Sequence, residues 1–263
     1  MRLTNRQRYT TVLCYHAVSD EWPAPLAVSS SDLRQQVSAF LRRGFVPATF
    51  TDAVSCSDQR LTLAVTFDDG YRSVFERALP VLTELGVPAT LFVPTEHAGD
   101  GTIMSWAGID RWVGGSWEQE LASATWDEIG QLQEAGWEIG SHTRSHPHLT
   151  TLTDAELASE LGGSRGDCEA RMKVPCRSVA YPYGDVDPRV ARAARAAGYT
   201  AGASLPERLE SGRTAPDPMR WPRVAAFRSD SLRRIELKDV LLRRAPRAWA
   251  LAQAGRRALR TTR

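Results

Sequence analysis

The chain has 263 residues, 42% of them hydrophobic, and a formal net charge of +2. That length is enough to bury a full core in one barrel-sized domain. No 18-residue apolar run exists, which excludes a membrane-spanning helix of ordinary composition, and residues 1–8 lack the apolar stretch of a signal peptide, so a cytoplasmic protein is expected.

The predicted elements alternate between strand and helix, the rhythm of an α/β architecture with parallel strands. Residues 10–15 read as the first strand. A helix over 31–43 follows, capped by Ser30 or Ser31, with Leu33, Val37, Phe40 and Leu41 on one face and Gly44 at its end. Residues 61–67 are a strand, 74–85 a helix closed by Gly86, and 89–93 the next strand. A helix over 125–135 ends at Gly136 and leads into a strand-like run, Trp137 to Gly140. Residues 153–161 form a helix whose Thr153 and Glu156 have capping-box spacing. Residues 179–181 are a short strand, and Asp187-Pro188 opens a helix that Gly198 ends. Residues 200–203 and 223–227 supply the last strands.

Two regions stand outside that rhythm. Residues 95–124 form a long loop carrying His97, Trp106, Trp112 and Trp117, and Trp faces suit stacking on flat apolar surfaces. From Arg233 to Arg263 ten Lys/Arg stand against two acidic residues, with apolar residues at roughly helical spacing. Such a tail fits either a solvated terminal helix or peripheral contact with an anionic membrane. No base-reading motif accompanies it, so no nucleic-acid partner is expected. The expected division is a barrel over 1–232 and a basic amphipathic tail over 233–263. The four cysteines, Cys14, Cys56, Cys168 and Cys176, have no C-x-x-C spacing and read as buried thiols, with a Cys168–Cys176 disulfide open to an oxidising compartment.

Two motifs carry the chemistry. Thr66-Phe67-Asp68-Asp69-Gly70 ends an apolar run, placing two carboxylates at the C-terminal end of a buried strand. Neighbouring side chains on a strand diverge, so the two aspartates need not share one task. Ser141-His142-Thr143-Arg144-Ser145-His146 spaces two imidazoles four apart, which a helical turn would bring to one side. Two imidazoles and a carboxylate make a divalent-metal site with open positions, and the remaining carboxylate can take a proton from water. The pair predicts a metal-assisted hydrolase.

Those two motifs, with Ala180-Tyr181-Pro182-Tyr183-Gly184 as a third, resemble the polysaccharide deacetylases of the NodB-homology type over roughly residues 10–228. The resemblance implies a distorted (β/α) barrel of about seven parallel strands. It also implies a metal, zinc first with cobalt or nickel as alternatives, and a carbohydrate substrate bearing an N-acetyl amino sugar. Carried over residue by residue, it assigns Asp69, His142 and His146 to the metal, Asp68 to the general base and the Tyr183 backbone N–H to the oxyanion. Tyr181, Pro182, Trp106 and Arg223 fall on its substrate side. Two departures stand out. Ala180 occupies the place of an Arg that orients the base, for which Arg223 is the candidate replacement. No histidine follows His148 to serve as general acid, and His16, in Leu13-Cys14-Tyr15-His16-Ala17-Val18, takes that role by resemblance to a circularly permuted subgroup. The function expected is removal of an N-acetyl group from an amino sugar. The alternatives are hydrolysis of a small non-sugar amide and a silent sugar-binding barrel.

Overall fold

The computed structural model describes residues 9–56, 60–99, 101–205 and 217–244. Its strands, in chain order, are β1 (Tyr9–Tyr15), β2 (Ala17–Val18), β3 (Ala27–Val28), β4 (Val46–Ala48), β5 (Leu61–Phe67), β6 (Ala89–Val93), β7 (Glu138–Ser141), β8 (Ser178–Ala180), β9 (Ala201–Ser204), β10 (Trp221–Pro222) and β11 (Val224–Ala225). Its helices are α1 (Ser30–Arg42), α2 (Phe50–Ser55), α3 (Leu79–Glu84), α4 (Trp126–Glu134), α5 (Asp154–Met172), α6 (Pro188–Ala196) and α7 (Leu232–Arg244).

The parallel strands follow the order β10-β9-β8-β7-β6-β5-β1-β11, with β4 beside the first half of β5. The two ends of that order are halves of one segment. Trp221 and Pro222 pair with Ala203 and Ser204, and two residues later Val224 and Ala225 pair with Leu13 and Cys14. Residues 221–225 therefore close the sheet on itself, leaving Arg223 at the crossing point. The expected barrel is present, with eight strands in its ring, the last two sharing one closing segment.

Fully buried side chains fill it. Phe67 stacks between Tyr15 and Trp137, each pair of ring centroids 5.6 Å apart, and burial of each such side chain contributes about 1.5–3 kcal/mol. Pleating turns alternate residues inward, so β5 is buried on both faces, as a parallel strand covered by helices must be.

Several expectations need correction. The helix over 74–85 is a π-turn, Val74–Ala78, running into α3, because Pro80 has no N–H to give to a standard ladder. The helix from Asp154 does not stop at 161 but continues through Gly162, Gly163 and Gly166 to Met172. At Gly163 an added Cβ would meet the Arg144 Cδ at 2.6 Å, so that glycine admits a close neighbour and does not end the helix. The expected boundary at 232/233 falls at the start of α7. α7 packs on the barrel with Ile235 and Asp239 fully buried, Asp239 accepting hydrogen bonds from Tyr9 Oη (2.6 Å) and Thr11 Oγ1 (2.9 Å). Residues 245–263, the rest of the basic tail, lie outside the described residues. Cys56 is only partly buried, unlike the other three cysteines, and all four are free thiols. Among the described residues no helix is long and apolar enough to cross a membrane.

Candidate active site

Every motif residue sits just past the C-terminal end of a barrel strand, where such barrels gather their chemistry. His16 follows β1, Asp68 and Asp69 follow β5, His142 follows β7, Tyr183 follows β8, and Arg223 lies at the β10–β11 crossing. The backbone is bent hard to bring them together. Asp69, His146 and Tyr183 all have left-handed φ, at 70°, 62° and 60°, a conformation that non-glycine residues adopt at a cost and that clusters at functional sites.

The two aspartates lie just past β5 and face different partners, Asp69 turned away by its left-handed φ. Asp69 Oδ1 lies 3.3 Å from both His142 Nε2 and His146 Nε2, and the three side chains offer ligand atoms within 4.8 Å of one another. No helical turn joins the histidines. The chain leaves β7 through left-handed Thr143 and His146, and that loop sets the imidazole centroids 4.9 Å apart. His142 Nδ1 is 2.8 Å from the Ala180 carbonyl oxygen, so Nδ1 carries the proton and Nε2 keeps its lone pair. One carboxylate oxygen and two imidazole nitrogens, with one tautomer fixed from outside, are a donor set that fits a borderline divalent ion and leaves positions open. Burial alone would raise the Asp69 carboxyl, but the His142 and His146 side chains beside it hold it well below the usual range.

Asp68 faces elsewhere. Arg223 Nη1 and Nη2 donate to its two oxygens at 2.7 Å each, a bidentate pair shut away from solvent. Burial pushes this carboxyl up, yet the Arg223 charge and hydrogen bonds, with the neighbouring imidazoles, together bring it below its ordinary value and keep Asp68 ionised. Arg223 also donates to Thr66 Oγ1 at 3.1 Å and lies over the Phe92 ring. A guanidinium from the closing segment thus meets Asp68, while the Ala180 carbonyl oxygen faces His142 Nδ1.

His16, Asp68 and Cys14 offer ligand atoms within 4.8 Å of one another, which puts His16 at the same carboxylate as Arg223. Trp106 stacks on His146, centroids 4.2 Å apart, and the Tyr183 ring meets His146 edge-on at 4.7 Å. Trp112 instead packs against buried Trp22, and His97 packs on Trp106 outside the ligand group. Three of the residues expected on the substrate side are buried. The Tyr181 side chain is fully buried with its hydroxyl donating to the Met219 carbonyl at 2.7 Å, and the Arg223 side chain is taken up by Asp68. Pro182 is buried as well. Sequence reasoning missed Cys14, whose Sγ lies 3.5 Å from Asp68 Oδ2; its place at the end of β1, two residues before His16, was the available signal.

The polysaccharide deacetylase family profile matches residues 57–202. The chain belongs to the polysaccharide deacetylase family. The match takes in both aspartates, both histidines and the Tyr183 segment, while Cys14, His16 and Arg223 lie outside it. The chain is 24% identical over 204 residues to YxkH of Bacillus subtilis, covering 76% of this chain and 65% of that one. It is 24% identical over 153 residues to the poly-β-1,6-N-acetyl-D-glucosamine N-deacetylase of Staphylococcus aureus, covering 55% and 48%. The chain thus spans less than two thirds of the length of these curated relatives. IcaB of Ammonifex degensii superposes with a TM-score of 0.67 at 23% identity, covering 92% of this chain and 96% of that one, a likeness of fold.

Proposed function

We propose that this family member is a divalent-metal-dependent hydrolase that removes the N-acetyl group from an amino sugar in a polysaccharide, an oligosaccharide or a lipid-linked sugar. The observation that carries the reading is the division of labour between adjacent aspartates, Asp69 facing two imidazoles and Asp68 facing a guanidinium. Asp69, His142 and His146 hold the cation, zinc first, which when bound supplies Lewis acidity to a water and to the amide carbonyl. Asp68 accepts the proton of the attacking water. Arg223 holds Asp68 ionised and fixes the direction of its lone pairs. The Tyr183 backbone N–H donates to the oxygen on which negative charge develops. His16, across the Asp68 carboxylate, gives a proton to the departing amine, so that acetate and a free amino sugar leave. Trp106, stacked beside His146, offers a face to the sugar ring.

A substrate bearing N-acetylglucosamine is supported by the Staphylococcus aureus relative, whose name states that linkage. The test is acetate release from N-acetylglucosamine oligomers by the zinc-loaded protein, beside Asp68→Asn. Acetate from the wild type, and metal retained without turnover in the variant, are the expected results. Equal loss of metal in Asp68→Asn and His142→Ala would overturn the division of roles, and no acetate from any N-acetylated oligosaccharide would overturn the substrate class.

A further inference from the structure

We propose that Cys14, His16 and Asp68 form a second cation site, one that takes a thiophilic divalent ion such as Cd²⁺ or excess Zn²⁺ and inhibits the enzyme. A thiol, an imidazole and a carboxylate oxygen lie within 4.8 Å of one another here, apart from the Asp69–His142–His146 group. Cys14 Sγ is 3.5 Å from Asp68 Oδ2. The two Arg223 hydrogen bonds leave each Asp68 oxygen a further lone pair. His16 Nδ1 is buried with no hydrogen-bond partner among the described residues, a cost that a native structure rarely carries unexplained. His16 is also the one member partly open to solvent, so an ion enters on its side.

The residue types set the selectivity. A thiolate favours zinc and softer ions over magnesium or calcium, whose ligands are oxygens. Burial holds the Cys14 thiol protonated, so a bound ion must displace that proton. In the binding step the S–H bond breaks heterolytically, the proton passes to buffer, and a sulfur–metal bond forms. No electrons are transferred. Inhibition rests on the deacetylase reading, because an ion here occupies the proposed general acid and a lone pair of the proposed general base together.

The experiment titrates Cd²⁺ into the full-length protein already carrying one equivalent of Zn²⁺, following the ultraviolet thiolate-to-cadmium absorption and, in parallel, acetate release. The Asp69–His142–His146 set holds no sulfur, so the absorption cannot come from it. The wild type should develop the band, and Cys14→Ser should lose it. A Cys168→Ser/Cys176→Ser double variant should keep it. His16→Ala should keep the band with Cd²⁺ affinity lowered roughly tenfold or more, as expected for losing a ligand where even outer partners matter about 10–100-fold. The Zn²⁺ concentration that inhibits should rise by a similar factor in Cys14→Ser. No band in the wild type, or a band that survives Cys14→Ser and vanishes in the double variant, would overturn the site. A chain that gives the Cys14 band but releases no acetate keeps the site and refutes the deacetylase reading. One that releases acetate and gives no band refutes the site alone.

Discussion

The Asp68–Arg223 pair is closed off from water on both sides, with side-chain exposures of 2% and 0%. Removing one partner of such a pair leaves an uncompensated buried charge. Arg223→Ala should therefore cost about 3–5 kcal/mol of stability and abolish turnover, read by urea denaturation beside acetate release; a loss below 1 kcal/mol would mean that water already reaches Asp68. In the proposed mechanism His16 acts at a different moment. General acid catalysis contributes about 10²–10⁴-fold, so His16→Ala should lose that much on an N-acetyl sugar with metal content unchanged. An activated aryl acetate, whose phenolate leaves without a proton, should be much less affected. Equal losses on both substrates would remove His16 from the role.

At the scale of elements, the closing segment 221–225 holds the ring and carries the arginine, so barrel closure and the environment of Asp68 are one structural fact. Gly202 on β9 makes that closure close-fitting: a Cβ there would meet the Met219 carbonyl oxygen at 2.4 Å and Tyr181 Oη at 2.5 Å. Gly202→Ala should destabilise by about 1–3 kcal/mol and lower activity through Arg223, whereas alanine at Gly130, with nothing within 4 Å, should do neither. Thermal unfolding of the two variants side by side decides it. α7 is fastened to β1 by Asp239, so Asp239→Ala removes the acceptor that Tyr9 Oη and the buried Thr11 Oγ1 share. A loss of about 1–3 kcal/mol is expected, measured by denaturation, without a change in metal affinity.

For the whole molecule, a cation held as proposed between β5 and the β7 loop would bind only when the barrel is assembled. Free Zn²⁺ at about 100 times its Kd should raise the unfolding free energy by about 2.7 kcal/mol. A chelator should reverse the shift and His142→Ala should abolish it, both read from denaturation curves. An unchanged curve would mean that the three side chains hold no ion in the folded protein.

The sequence by itself determined the strand–helix alternation, the carboxylate doublet at the end of β5 and the two histidines after β7, because burial periodicity and turn residues are local signals. It could not show β4 and α2, too short to carry a period, nor the continuation of α5 through three glycines, which neighbours and not propensity decide. Tertiary structure alone decided how the site is wired. Residues 14, 16 and 223 meet Asp68 only because the first strand and the closing segment are neighbours in a ring, and sequence separation gives no measure of that distance. Tyr181 shows the reverse case: its motif position suggested a substrate contact, but closing the barrel places its hydroxyl on the Met219 carbonyl. A buried polar group goes to whichever partner the packing brings within reach.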